Sequence, residues 1–123
     1  MTSVVWFKRD LRVCDHPALA RAAALGDVLP LYVFEPGYWA EPDVSGRQFD
    51  FVSESVASLD DALHRLGVPL TVRLGEAGDV LAALHAEVGF DRVISHEETG
   101  SAWTYARDRA VAAWCRANSV VWE

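Results

Sequence analysis

The sequence predicts an α/β fold, a doubly wound five-stranded parallel sheet with helices on both faces. Three observations predict it. Short apolar segments rich in β-branched and aromatic residues recur five times along the 123 residues. These segments are continuous rather than alternating, which is typical of strands buried on both faces, and segments with helical spacing lie between them. The resulting βαβαβαβαβ order, with right-handed crossovers, indicates a Rossmann-like sheet, for which we expect the strand order 3-2-1-4-5.

The five predicted strands are Val4–Phe7, Val28–Phe34, Leu70–Leu74, Arg92–Ser95 and Val120–Trp122. A first helix follows the first strand. Asp15 is its predicted N-cap, Pro17 suits its first turn, and an alanine-rich stretch continues it to Leu25. Gly26 is expected to end it.

The second helix is predicted to begin near Ser45, which forms a capping-box pattern with Gln48, and to end at Gly67. Its apolar residues recur at spacings of three and four, so they should form one stripe that packs on the sheet. They are Phe49, Val52, Val56, Leu59, Leu63 and Leu66. The preceding stretch, Glu35 to Val44, contains two prolines and a glycine and is predicted to be the longest loop.

Two more helices complete the pattern. The third carries Val80, Leu81, Leu84 and Val88 and is expected to stop at Gly89. The fourth has one predicted inward face, formed by Trp103, Ala106, Ala110, Ala113, Trp114 and Ala117. Arg107 and Asp108 are predicted to lie on its other faces.

Composition excludes several classes of function. A net charge of −7 and a single lysine argue against a domain that binds nucleic acid by itself. Cys14 and Cys115 stand far apart in a chain without a signal-peptide pattern, which favours a reduced, cytoplasmic protein. No apolar segment reaches the roughly 18 residues of a membrane span, and no glycine-rich phosphate loop is present.

Three segments should meet at the edge where the parallel strands end, which we call the carboxyl edge. They are Lys8–Arg12, Phe34–Trp39 and His96–Gly100, after the first, second and fourth strands. Ligands of open α/β sheets bind at this edge, where the strand order reverses. The carboxyl edge is therefore the candidate site.

The charged residues of this edge admit more than one reading. Arg9 and Asp10 suit an anionic or amide-bearing ligand, and they equally suit local ion pairs that cap a helix. His96, Glu97 and Glu98 contain metal-ligand and acid–base residue types. The sequence nevertheless lacks the helical His-x-x-x-His spacing of a zinc site and any accompanying nucleophile, so neither a metal nor a catalytic residue is predicted.

Two separated motifs carry a resemblance to a known family. The first is Trp6-Phe7-Lys8-Arg9-Asp10-Leu11-Arg12, followed by Ala18-Leu19, and the second ends in Arg107-Asp108. Both resemble signatures of the N-terminal α/β antenna domain of the DNA photolyase/cryptochrome family. The resemblance spans essentially residues 1–123, and it implies that the C-terminal helical domain, which binds FAD in this family, is absent from them.

The resemblance also implies a function. The resemblance implies that the chain is the light-harvesting domain of a deoxyribodipyrimidine photolyase or cryptochrome and holds an antenna chromophore of deazaflavin, FMN or folate type. Thr104 stands near the place where folate-binding members have an acidic residue, which disfavours that mode of folate binding. The implied pocket residues are Arg9, Asp10, Phe34, Glu35, His96, Glu97 and Glu98.

The implied partners are the helical FAD domain and, through that domain, damaged DNA. Without it the chain should be inactive as a lyase. We also expect a surface around Tyr38, Trp39 and the loop after the first strand to favour self-association. Other readings remain open: a small-ligand or nucleotide-binding module, a fragment of a signalling cryptochrome without repair activity, and a purely structural half with an empty pocket.

Overall fold

A computed structural model describes residues 2–41, 46–96 and 100–123. Its elements follow the predicted alternation of strands and helices. They are β1 (Thr2–Phe7), α1 (Pro17–Leu25), β2 (Asp27–Phe34), α2 (Pro36–Trp39), α3 (Gly46–Arg65), β3 (Thr71–Leu74), α4 (Ala77–Val88), β4 (Arg92–Ile94), α5 (Ala102–Ala117) and β5 (Val121–Trp122).

The five strands form one parallel sheet in the order β3-β2-β1-β4-β5, which confirms the predicted topology. The central strand is β1, where Val5 lies opposite Pro30 of β2 on one side and Ile94 of β4 on the other. Pairing between β2 and β3 begins only at Leu31, so Pro30, which has no N–H to donate, lies where β2 pairs with β1 alone. The chain runs outward from β1 through β2 to β3 and then continues with β4 on the other side of β1, so the strand order reverses between β1 and β4.

Each face of the sheet carries its own apolar core. Val4 and Trp6 of β1 belong to a cluster with residues of α4 and α5, whereas Val5 and Phe7 belong to a cluster with residues of α1 and α3. The alternation follows from the pleat of the strand, which directs successive side chains to opposite faces. The sheet is thus covered on both sides, as predicted.

The outer strand β3 departs from the prediction of strands buried on both faces. Val72 is 40% exposed and Leu74 is 76% exposed. Among the described residues this strand pairs with β2 alone, because it is the last strand on its side of the sheet. The apolar sequence therefore predicts the strand correctly, but it does not predict that these side chains are exposed.

Two predictions about helices are wrong in detail. The N-cap of α1 is His16, not Asp15, because the His16 ring Nδ1 accepts a hydrogen bond of 3.0 Å from the backbone N–H of Leu19. Asp15 has a left-handed φ of 53°, a conformation that Asp tolerates but that does not suit an N-cap. The long loop contains a short helix, α2, whose first residue is Pro36. The predicted cap at Ser45 lies outside the described residues.

The inward face of α5 is only partly as predicted, because Trp114 packs against the core but the predicted alanines do not. Its alanines are mostly exposed, and the buried residues are Thr104, Val111 and Cys115. The Arg107 side chain, placed by the sequence on another face, is only 7% exposed. The buried Glu35 carboxylate, directly after β2, compensates its charge, so an arginine of the helix can face inward while the small alanines face solvent.

The ends of the predicted apolar stripes are exposed as well. Phe49 on α3, Leu66 directly after α3 and Val88 on α4 are exposed, whereas Val56, Leu59 and Leu63 are buried. Both cysteines are free. Cys14 is exposed and Cys115 is buried, and burial raises the pKa of the Cys115 thiol.

Candidate functional site

A cavity of about 730 Å³ opens at the carboxyl edge, beside the ends of β1 and β2. Its walls come from the segment after β1, from α2, from the first half of α3 and from Arg107 of α5. The lining residues are Trp6, Phe7, Lys8, Arg9, Leu11, Arg12, Tyr32, Val33, Glu35, Tyr38, Trp39, Arg47, Gln48, Phe51, Val52, Ser55 and Arg107. A cavity of this volume suits a small organic ligand.

A buried ion pair forms one wall of the cavity. Arg107 Nη1 donates to Glu35 Oε1 at 2.8 Å, and the two side chains are 7% and 10% exposed. The guanidinium also lies 4.9 Å from the ring centroid of Trp6 and 5.6 Å from that of Trp103. Because a lone buried charge is costly, this pairing explains how a carboxylate can be buried directly after β2. The pair joins α5 to the end of β2.

Asp108 lies beside two of the cavity's cations. Its Oδ1 is 2.9 Å from Arg107 Nε and 3.4 Å from Lys8 Nζ. The Lys8 ammonium lies 4.4 Å from the ring centroid of Trp6. Trp6 therefore lies close to two cations whose charge is offset by carboxylates.

The cavity is nevertheless rich in positive charge. Among the described lining residues five are cationic, namely Lys8, Arg9, Arg12, Arg47 and Arg107, and one, Glu35, is anionic. The chain as a whole carries a formal charge of −7. The electrostatic character of the cavity is thus opposite to that of the protein, which favours an anionic or electron-rich ligand.

Aromatic rings surround the mouth on the side of α2. Tyr38 lies 5.7 Å from Trp103 and 5.1 Å from Trp39 between ring centroids, and Trp39 lies 5.0 Å from Phe49. A Cβ on Gly37 would come within 3.0 Å of the Trp103 indole, so glycine permits this close packing. Tyr38 and Trp39 are half-buried by these contacts. The predicted self-association through them stays a prediction.

A second cluster lies behind the segment after β1. The Asp10 carboxylate oxygen Oδ2 contacts His16 Nε2 and lies 3.0 Å from His96 Nδ1, and the two imidazoles stack at 4.6 Å. Asp10 Oδ1 accepts the backbone N–H of Lys8 at 3.1 Å. One carboxylate therefore joins the segment after β1, the start of α1 and the segment after β4.

This cluster has the residue types of a metal site but not the protonation that a metal requires. His16 Nδ1 uses its lone pair to accept the Leu19 N–H, so the ring proton is on Nε2, the atom that faces Asp10. Burial is the main cause that lowers the pKa of His16, and the Asp10 carboxylate partly opposes it. His16 is thus a neutral donor that fixes the carboxylate.

The predicted site residues fall into different places. Arg9 and Glu35 line the cavity. Phe34 packs on Phe49, with ring centroids 5.8 Å apart, while Asp10 and His96 form the cluster with His16. The predicted residues Glu97 and Glu98 lie outside the described residues. As chromophore contacts, all seven stay predictions.

Sequence reasoning missed the wall formed by α3, with Arg47, Phe51 and Ser55, and the inward position of Arg107. One signal was available for α3. Phe51 stands off the apolar stripe of its helix and is 70% exposed, although it lines the cavity. A large aromatic residue on the polar side of an amphipathic helix indicates a surface with a use other than core packing.

These features define a doubly wound α/β domain with a cavity at the carboxyl edge of its sheet. The family model described as DNA photolyase matches residues 3–123. The chain belongs to the DNA photolyase family. The matched region is the N-terminal part of solved photolyases and cryptochromes, in agreement with the resemblance seen in the sequence.

Individual relatives agree with this assignment. The cryptochrome DASH of Natronomonas pharaonis is 39% identical over 98 residues, which cover 75% of this chain and 21% of that protein. The deoxyribodipyrimidine photo-lyase of Salmonella typhimurium is 44% identical over 71 residues, or 56% of this chain and 15% of that protein. The chain spans 15–23% of the length of the curated relatives it matches.

Solved structures share the fold over almost the whole chain. An archaeal photolyase from Sulfolobus tokodaii with two FAD molecules superposes with a TM-score of 0.88 at 28% identity, covering 99% of this chain and 28% of that one. A bacterial class III photolyase from Agrobacterium tumefaciens gives 0.84 at 29% identity, covering 98% and 25%. None of the described helices combines the length and apolar character needed to cross a bilayer.

Proposed function

We propose that this chain is a light-harvesting domain and that its cavity holds a planar chromophore. The excitation energy of that chromophore would pass to an FAD bound by a helical domain of the full-length photolyase or cryptochrome. There the reduced flavin would drive the repair of pyrimidine dimers in DNA. No catalytic residue is proposed in this chain.

The cavity is the observation that carries the proposal. Its volume of about 730 Å³ suits a ligand of the size of a flavin or folate, and its lining includes exposed Phe51 and half-buried Trp39. Aromatic side chains at a cavity mouth offer stacking partners for a planar ring. The Sulfolobus tokodaii photolyase, solved with two FAD molecules and with the implication of a novel light-harvesting cofactor, supports the proposal by analogy.

The site needs no nucleophile or general base for this function, because absorbing light and transferring excitation require only that the chromophore be held. The buried Arg107–Glu35 pair and the Asp10 cluster suit this task, since both fix the segments that form the cavity walls. Rigid walls hold a ligand in one orientation without an ordering cost at binding.

The test is a fluorescence titration of the chain with a deazaflavin, FMN and a reduced folate in turn. Ser55 lies in the cavity wall, so Ser55→Phe should fill part of the space and weaken binding at least tenfold. The control is Ser58→Phe, which places the same side chain on the exposed side of α3 and should leave binding unchanged. Equal affinity in both variants, or no binding of any chromophore, would contradict the proposal.

A further inference from the structure

The N-cap of α1 is an imidazole, and its capping hydrogen bond requires a lone pair. His16 Nδ1 accepts the backbone N–H of Leu19 at 3.0 Å. An imidazole offers that lone pair only while it is neutral, because both ring nitrogens of the protonated form carry hydrogen. A protonated His16 would therefore place two N–H donors against each other. Unlike the Ser101 hydroxyl that caps α5, His16 cannot remain a cap after it gains a proton.

The surroundings of His16 also oppose a positive charge. Its side chain is 0% exposed, and its ring lies 4.8 Å from that of Phe7 between centroids. The residue stands at the start of α1, where the helix dipole is positive and where the first turn carries no acidic side chain. Burial accordingly lowers the pKa of this imidazole. The folded arrangement thus holds His16 neutral.

The charged and titratable groups that face His16 in the described part of the chain come from two segments. Asp10 and Arg12 belong to the segment after β1, and His96 belongs to the segment after β4. Asp10 favours an imidazolium, whereas His96 and Arg12 disfavour it. The Asp10 carboxylate contacts Nε2, and its Oδ2 also lies 3.0 Å from His96 Nδ1. Asp10 therefore cannot accept a second proton on Nδ1, the atom that faces the Leu19 amide.

His16 closes a short segment that borders the cavity. Residues 11–16 lead into the first turn of α1, and two of them, Leu11 and Arg12, line the cavity. Arg12 also donates to the backbone carbonyl of Asp15 at 3.1 Å. Asp15 itself has a left-handed φ of 53°, a conformation that residues other than glycine adopt rarely. Loss of the cap would release this segment and, with it, part of the cavity wall.

We propose that His16 is a proton-operated cap, whose protonation frees residues 11–16 and opens one wall of the cavity. The neutral imidazole keeps the segment closed, and the imidazolium leaves the start of α1 for solvent. Because the open form takes up one proton, its share rises as the pH falls. This opening depends on the imidazole alone and not on which ligand the cavity holds.

Hydrogen exchange followed by mass spectrometry measures the opening. In solvent a histidine with its ordinary pKa of 6.5 takes up most of its proton between pH 7.5 and pH 5.5, so the open share should rise several-fold, up to about tenfold. The exchange rate of residues 11–20, corrected for the intrinsic effect of pH, should rise by the same factor. Helix α4 is the internal control, since it packs on the other face of the sheet and should show no such rise. His16→Asn keeps a capping side chain that does not titrate, so this variant should lose the acid response.

Nitrogen-15 NMR of the unchanged protein tests the cap itself, whether or not His16→Asn folds. At pH 7.5 His16 Nδ1 should carry no proton, and the Leu19 amide should be protected from exchange. A proton on Nδ1 at that pH would overturn the proposal. The proposal is also wrong if residues 11–20 show no acid response or if His16→Asn retains it. An equal response in α4 would likewise overturn it, because the whole protein would then be unfolding.

Discussion

Replacing Arg107 by methionine removes the cation beside the buried Glu35 carboxylate while keeping a long side chain on α5. Breaking a buried ion pair by removing one partner costs about 3–5 kcal/mol. With the two side chains 7% and 10% exposed, solvent screens the Arg107–Glu35 pair little. Glu35 keeps other contacts, so we expect the lower part of that range, about 3 kcal/mol, plus about 0.5–1 kcal/mol for the lost contact with Trp6.

Such a loss is a large share of the roughly 5–15 kcal/mol that stabilises a domain of this kind. Urea denaturation followed by tryptophan fluorescence measures it. The decisive comparison is the double variant Arg107→Met with Glu35→Gln, in which no charge is left buried. It should be more stable than Arg107→Met alone by about 2 kcal/mol. If Glu35→Gln instead destabilises the Arg107→Met protein further, the carboxylate does not depend on this pairing and the reasoning is wrong.

Two further predictions concern the segments around the cavity. Because burial lowers the pKa of His16 below its ordinary value of 6.5, the unfolded chain takes up a proton first, so stability should fall as the pH drops below about 6.5. His16→Asn keeps a capping side chain without a titrating group, so its urea midpoint should fall less between pH 7 and pH 5 than that of the unchanged protein. Gly100→Ala should destabilise the fold by about 1–3 kcal/mol, because the added Cβ would come within 2.9 Å of the buried Thr104 hydroxyl. Gly78→Ala, where the added Cβ meets nothing within 4 Å, should leave the stability of the protein unchanged or raise it. Thermal unfolding followed by calorimetry compares the two glycine variants, and equal effects would refute the steric argument.

The strand order could be predicted because it depends on patterns that act over whole segments. Continuous apolar strands, intervening helices and right-handed crossovers leave few arrangements of five parallel strands. The same reasoning placed Lys8–Arg12 and Phe34–Trp39 at one edge, and the structure brings them together around the cavity.

The inward face of α5 could not be found in this way. The alanine stripe predicts a buried face and the arginine an exposed one, whereas the structure has the alanines exposed and Arg107 buried. The burial of Arg107 depends on Glu35, which lies 72 residues earlier in the chain. His16 presents the same difficulty. Aspartate is the more common N-cap residue, but Asp15 has a left-handed backbone conformation, and the His16 imidazole caps the helix instead. Pairings between distant residues and single backbone angles are not visible in local spacing.

The two cores of the sheet also differ in when they become available during synthesis. Of the buried residues described on the α1 and α3 side, all but Ile94 lie within the first 63 residues. On the other side, nine of the thirteen lie between Ala77 and Val120. A nascent chain can therefore cover one face of β1 and β2 early, whereas Val4, Trp6, Leu31 and Val33 become covered only after the residues from Ala77 to Val120 are made. Until α4 and α5 emerge, that face exposes apolar side chains of the kind that make nascent chains prone to aggregation.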